Sequence, residues 1–230
     1  MELGLHFTEL TCCEQTGRLV MSHEETMETA IAEYCPDMTR IVSVCGQLQI
    51  RERTALEGRV TATGTVRVTV LYTSEESAGL RSLTLPVPFS CTAEDETLAS
   101  SQLLWATGRL LLAEAQAVTA RKLYVRVLPE VTLTGYTRAQ CRFCSGTEED
   151  PALRVRRRDH DISLLDTAAE RSFSVAQETP EVSPVPEDLL LYRLCPRLTS
   201  CRLVGSKLVL KGELALSALY HGQDQQLHTY

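Results

Sequence analysis

The sequence predicts an all-β fold, a β-sandwich or partly open barrel that is duplicated with an incomplete second copy. Three observations predict it. First, valines alternate with polar residues in VRVTVLY (66–72), the period of two that gives a strand one buried face. Second, residues 57–73 (EGRVTATGTVRVTVLYT) align without a gap on residues 205–221 (GSKLVLKGELALSALYH). Gly64 meets Gly212, Val66 and Val68 meet Leu214 and Leu216, and Leu71-Tyr72 meets Leu219-Tyr220. Third, only SQLLWATGRLLLAEAQA (101–117) reads as helical, and Gly108 interrupts it, a residue costly in a helix interior.

The repeat extends upstream. CPDMTRIVSVCGQL (35–48) matches VPEDLLLYRLCPRL (185–198), so that Pro36 meets Pro186, Asp37 meets Glu187, Cys45 meets Cys195 and Leu48 meets Leu198. These pairs lie 150 residues apart, against 148 for Gly64 and Gly212. The second copy is therefore expected to lack two residues in the intervening turn. Leu3 and Leu5 fall opposite Leu153 and Val155. A period this long means a duplicated domain rather than a solenoid, with a first unit at 1–146 and a partial second at 147–230.

Taken in order, HEETMETAIAEY (23–34) reads as an extended acidic connection, because its counterpart SVAQETPEVSPV is rich in proline. Gly58 marks a turn. Gly64, inside a β run, marks a bulge or a close backbone approach. In LRSLTLPVPF (80–89) the prolines Pro86 and Pro88 cannot donate to a ladder, which places this strand at an edge. After a turn, a strand is expected near Arg109 to Glu114. KLYVRVLPEVTLTGYT (122–137) reads as a strand pair around Pro129, and CRFCSGTEEDPA (141–152) as the linker between copies.

Composition limits the function. Apolar residues make up 43% of the 230, and the net charge is −7. The chain can thus bury a core, and it lacks the basic face of a nucleic-acid binder. No apolar run approaches the ~20 residues of a membrane-spanning helix. The opening MELGLHFTELTCCEQ has no basic n-region and is not read as a secretory signal. Nine cysteines without a framework fit reduced thiols in a cytosol.

The candidate chemistry is thin. Cys141-Arg-Phe-Cys144 has the spacing of half a zinc site, but the second pair is missing, since Cys12-Cys13 is adjacent and His160 and His23 follow no matching rhythm. Cys45 and Cys195 have no histidine at a matching place and read as small buried hydrophobes. RVRRRDHD (154–161) reads as a solvated charge run, partly cancelled by Asp159 and Asp161. Glu24-Glu25 and Glu148-Glu149-Asp150 lie in connections, without the burial that tunes a catalytic carboxylate. No catalytic, cofactor-binding or metal-ligating residue is assigned, and no cofactor is expected.

One resemblance emerges from these residues. Pro36-Asp37, then Ile41-Val42-Ser43-Val44, then a hairpin with Gly64 and Leu71-Tyr72, then Leu85-Pro86-Val87-Pro88-Phe89 resemble the SPOCS domain of the spore-coat morphogenetic proteins of anaerobic, spore-forming Firmicutes. The opening MELGLHFTEL…GRLVMSHEET…CPD is similar to the usual start of such proteins. The likeness covers residues 1 to about 138 as one unit and about 152–230 as the first half of another. It implies a non-enzymatic adaptor of spore envelope (coat/cortex) assembly, working by protein–protein contact in the mother-cell cytoplasm at the forespore surface. The implied partner is the spore-coat morphogenetic ATPase, which relatives commonly reach through a C-terminal LysM domain; no LysM segment is read in these 230 residues. The second copy stops early, as in a truncated or partial gene product, and is expected either to be less stable than the first or to be rescued by packing on the first copy or, by self-association, on another chain. Two other classes compete: a carbohydrate-binding β-sandwich, marked by a row of exposed aromatics, and a cysteine- or metal-dependent hydrolase, marked by a histidine beside a cysteine in a cleft.

Overall fold

The computed structural model describes residues 4–76, 79–148, 156, 158–176 and 182–230. Three antiparallel sheets and one helical turn make up the described chain. In the first sheet, β7 (Lys122–Thr147) is flanked on one side by β1 (Leu5–Ser22) and then β2 (Glu25–Ala30), and on the other by β6 (Leu103–Thr119). The second sheet is the meander β3 (Arg40–Leu56), β4 (Arg59–Thr73) and β5 (Leu80–Glu94). The third joins β8 (Pro186–Val204), β9 (Lys207–Gly222) and the short β10 (Leu227–Thr229).

The first two sheets form a sandwich whose core follows from the alternation of β4. Val60, Ala62, Val66, Val68, Val70 and Tyr72 are buried on its inner face, and β7 answers with Leu123, Val125, Val127, Val131 and Leu133. A one-residue slip in either strand would turn its whole apolar set to water, so this pairing also fixes the register. The turn α1 (Glu96–Ala99) follows β5 and is capped by Asp95, whose carboxylate accepts from the Leu98 amide at 2.9 Å. It inserts Leu98, fully buried, beside Gly17 and Gly135. β5 is an edge strand, as its prolines indicate.

Several elements differ from expectation. The region around Pro129 is one unbroken strand of 26 residues, not a pair. Its proline is tolerated because β1 gives way to β2 there, with pairing passing from Ser22–Glu130 to Glu25–Val127. On the opposite side, β6 skips Leu111 between Leu110–Pro129 and Leu112–Leu128. A residue without an N–H is thus placed where the ladder is interrupted. Residues 25–30 form a paired strand rather than a free connection. The strand expected from Arg109 starts at Leu103, because long cross-strand pairing with β7 outweighs local helix preference. Cys141 to Thr147 lie in β7, paired with β1, so the expected linker starts too early. Leu3, Glu149, Asp150, Leu153, Val155 and residues 177–181 lie outside the described residues.

The hairpins β3–β4 and β8–β9 share their construction. Each has a two-residue turn, closed by Leu56–Arg59 in one and Val204–Lys207 in the other. β3 is bulged at Val42 and Arg51, and β8 at the matching Leu190 and Thr199 and once more at Glu187. The matching positions lie 148 residues apart (Leu56 to Val204, Arg51 to Thr199). The turn has therefore lost nothing, and the separation of 150 residues for the upstream strand is incorrect. Cys45 pairs with Thr69 while Cys195 pairs with Ala215, so the two cysteines are not equivalent; the position matching Cys45 is Arg193. The short apolar runs align almost as well two residues out of step, which is why sequence matching slipped. Gly64 and Gly212 do share a place, each opposite the second matching bulge.

That bulge explains both glycines. A Cβ on Gly64 would overlap the carbonyl oxygen of Gln49 and the ring of Phe89, and one on Gly212 would lie 2.8 Å from the carbonyl oxygen of Arg197. Gly64→Ala is expected to cost about 1–3 kcal/mol through overpacking, and Gly212→Ala less, because no ring stands across from it. Denaturant unfolding of the full chain, followed through its single tryptophan, measures the first. An unchanged midpoint for Gly64→Ala would show that β3 can move away.

Candidate interaction surface

Three of the residues that carry the resemblance, Pro36, Asp37 and Tyr72, meet at the crossover from the first sheet to the second. Tyr72 donates its phenol to the carbonyl of Pro36 at 3.3 Å, and burial pushes that phenol's pKa up. Arg121, in the β6–β7 turn, binds the Asp37 carboxylate and the carbonyls of Cys35 (3.3 Å) and Ala32 (3.1 Å). The Met38 amide reaches the Ala120 carbonyl at 2.8 Å. Pro36, Asp37 and Tyr72 thus tie the two layers together; their role here is architectural.

The reactive side chains are dispersed. Cys12 and Cys141 lie diagonally across β1 and β7 with their sulfurs 3.1 Å apart. The hydrogen bond to Cys141 and then burial push the Cys12 thiol up to about 11. Cys144 is exposed and Cys45 half-buried; Cys195, expected to be buried, is exposed. His23 lies 3.9 Å from Glu25, and His228 lies 3.0 Å from Asp224. Asp224 is held below the ordinary carboxylate range by the Gln226 amide and then by His228. Among the described residues no group of three metal-ligating side chains comes together. Of the charge run at 154–161, the described residues Arg156 and 158–161 are exposed and outside any strand.

A small depression between β2, β6 and β7 holds one charge cluster. Arg126 donates to Glu24 at 2.7 Å and stands 3.8 Å from Glu114. The hydrogen bond from Arg126 holds the Glu24 carboxyl below its ordinary 4.5. Glu24 is thereby kept ionised, which suits a structural ion pair rather than a proton donor.

The most unusual surface lies on β8–β9. Its base is fastened to the second sheet: Leu190 and Tyr220 are buried, and the backbone carbonyl and phenol of Tyr192 accept from Gln47 and Arg67, each at 3.1 Å. Beyond the base the ribbon is exposed among the described residues. Leu208, Leu210 and Leu214 are 60%, 51% and 57% exposed, and Leu216 is half-buried, whereas Val66 and Val68 are wholly buried. The expectation that Leu214 and Leu216 point inward is thus overturned for Leu214. The face matches that of β4, but no described layer covers it. Cross-strand partners share a face, and their register separates the ribbon cleanly. Leu194–Leu216, Pro196–Leu214, Cys201–Leu210 and Leu203–Leu208 occupy one side. Arg193–Ser217, Arg197–Glu213, Ser200–Lys211, Arg202–Val209 and Val204–Lys207 occupy the other. The alternation of lysine with leucine was legible in the sequence; the missing cover was not.

The fold and this surface define a β-sandwich with an amphipathic ribbon attached. Residues 37–102 match the family model described as SipL, SPOCS domain, so the segment from Asp37 through the second sheet and α1 is similar to a SPOCS domain, as the sequence resemblance suggests. No curated protein and no solved structure matches the chain.

Two measurements test the side-chain assignments. A carboxylate with a depressed folded pKa contributes stability above its unfolded pKa and loses it as pH falls through the folded value. Arg126→Gln is therefore expected to lower the melting temperature at pH 7, with the difference from wild type vanishing as pH falls below the ordinary carboxylate range. A difference independent of pH would remove the pair. Alkylation at pH 8 is expected to modify Cys144 quickly and Cys12 last, read by peptide mass mapping, since the thiolate is the nucleophile.

Proposed function

We propose that this protein is a non-enzymatic structural adaptor of spore envelope (coat/cortex) assembly, acting by protein–protein contact. The observation that carries the reading is the SPOCS match over residues 37–102, which points to a role in sporulation. The site chemistry supports it. The carboxylate of Glu24 is tied into an ion pair, and the Cys12 thiol is held protonated. The motif residues Pro36, Asp37 and Tyr72 join layers rather than line a cleft. The exposed surface that stands out is apolar and ribbon-shaped, a property of contact surfaces.

The partner proposed is the morphogenetic ATPase that coats the forespore, with the chain acting on the mother-cell side. Among the described residues no helix is long and apolar enough to cross a membrane.

A fluorescent fusion expressed in a sporulating host is expected to form a shell around the forespore that depends on the ATPase, and the purified chain to co-sediment with the polymerised ATPase. Diffuse fluorescence throughout the mother cell, together with no co-sedimentation, would overturn the reading.

A further inference from the structure

We propose that the leucine face of β8–β9 binds the same face of a second copy of this chain, giving a two-fold symmetric dimer. Three observations carry it.

The first is need. The β3–β4 ribbon has the same turn and two bulges at matching places, and its equivalent face packs under the first sheet, with the β4 row wholly buried and the β3 row half-buried. A ribbon of this make is stable when its apolar face has a second layer. On β8–β9 that face is exposed from Leu194 and Leu198 through Leu203 and Leu208 to Leu210 and Leu214.

The second is chemistry. The register puts every lysine, arginine and glutamate of the free part of the ribbon on the opposite side. A charged or strongly polar partner would bind that other side. The leucine side offers only methyl groups, a proline and a thiol, and such a surface is complementary to itself. Two-fold pairing demands this self-complementarity, because each patch meets its own copy.

The third is size. Six leucines between 51% and 73% exposed present on the order of 700 Å² per copy, close to the ~800 Å² per partner of a stable, specific interface. Each copy is already fastened at its base by Leu190, Tyr192 and Tyr220, so pairing need not order a loose hairpin first. The proposal requires only the chain itself and stands whether or not the protein serves a spore envelope.

Sedimentation velocity on the purified full chain, across a dilution series from about 100 μM, tests it. The wild type is expected to sediment as a dimer that dissociates on dilution. The double variant Leu210→Glu/Leu214→Glu is expected to be monomeric throughout with an unchanged far-ultraviolet spectrum, and Lys211→Glu, on the other side, to remain dimeric. Hydroxyl-radical footprinting of the wild type provides a reading free of mutation: labelling of Leu208, Leu210 and Leu214 should rise as the dimer dissociates. A wild type that is monomeric at all concentrations overturns the proposal, whether its leucines label freely or are shielded by the chain's own residues. So does a dimer whose leucine labelling is the same at every concentration, or one that survives both glutamates.

Discussion

An antiparallel ribbon with valine or leucine at every second position has a face that must leave water, and the structure is organised by where that face goes. For β4 it goes against β7, and the two inner rows are sealed from solvent. Burying each such side chain fully contributes about 1.5–3 kcal/mol, which offsets the ordering of long strands with few helical hydrogen bonds. The length of β7 follows from this pairing. One strand serves β1, β2 and β6 together, and the crossover at Pro36–Asp37 returns the chain to the opposite layer under the clamp of Arg121.

The fold class was legible because its signal is periodic and local. Alternation in β4, the prolines of β5 and the glycine opposite a bulge each follow from backbone geometry at one position. What the sequence concealed depends on partners distant in the chain. Pro129 reads as a break until β1 and β2 are seen to change over beside it. Cys141 reads as linker until β1 is seen to pair with it. The match of Cys45 to Cys195 failed for a related reason: leucine-rich strands align nearly as well two residues out of step, and only the bulges distinguish the registers.

The candidate surface was half legible. The sequence shows that Leu208, Leu210 and Leu214 share a face, and that Lys207, Lys211 and Glu213 share the other. Whether a face is core or surface is settled by what lies above it, and that is not written in the ribbon. The motif residues show the reverse case. Pro36, Asp37 and Tyr72 carry part of the family resemblance in the sequence, and the structure places them at a joint between layers, so these residues mark how the layers are held together.

The paired bulges have a mechanical consequence. A bulge adds one residue to one strand, bends it and increases its twist. With two at the same places, β3 and β8 are curved by their own backbones before any neighbour arrives. A flat sheet cannot lie along such a ribbon, so its exposed leucines and free edge are poor templates for the indefinite stacking that straight apolar strands invite. Curvature here acts as a filter on shape: it admits a counterpart that bends with the ribbon and turns away the endless ladder.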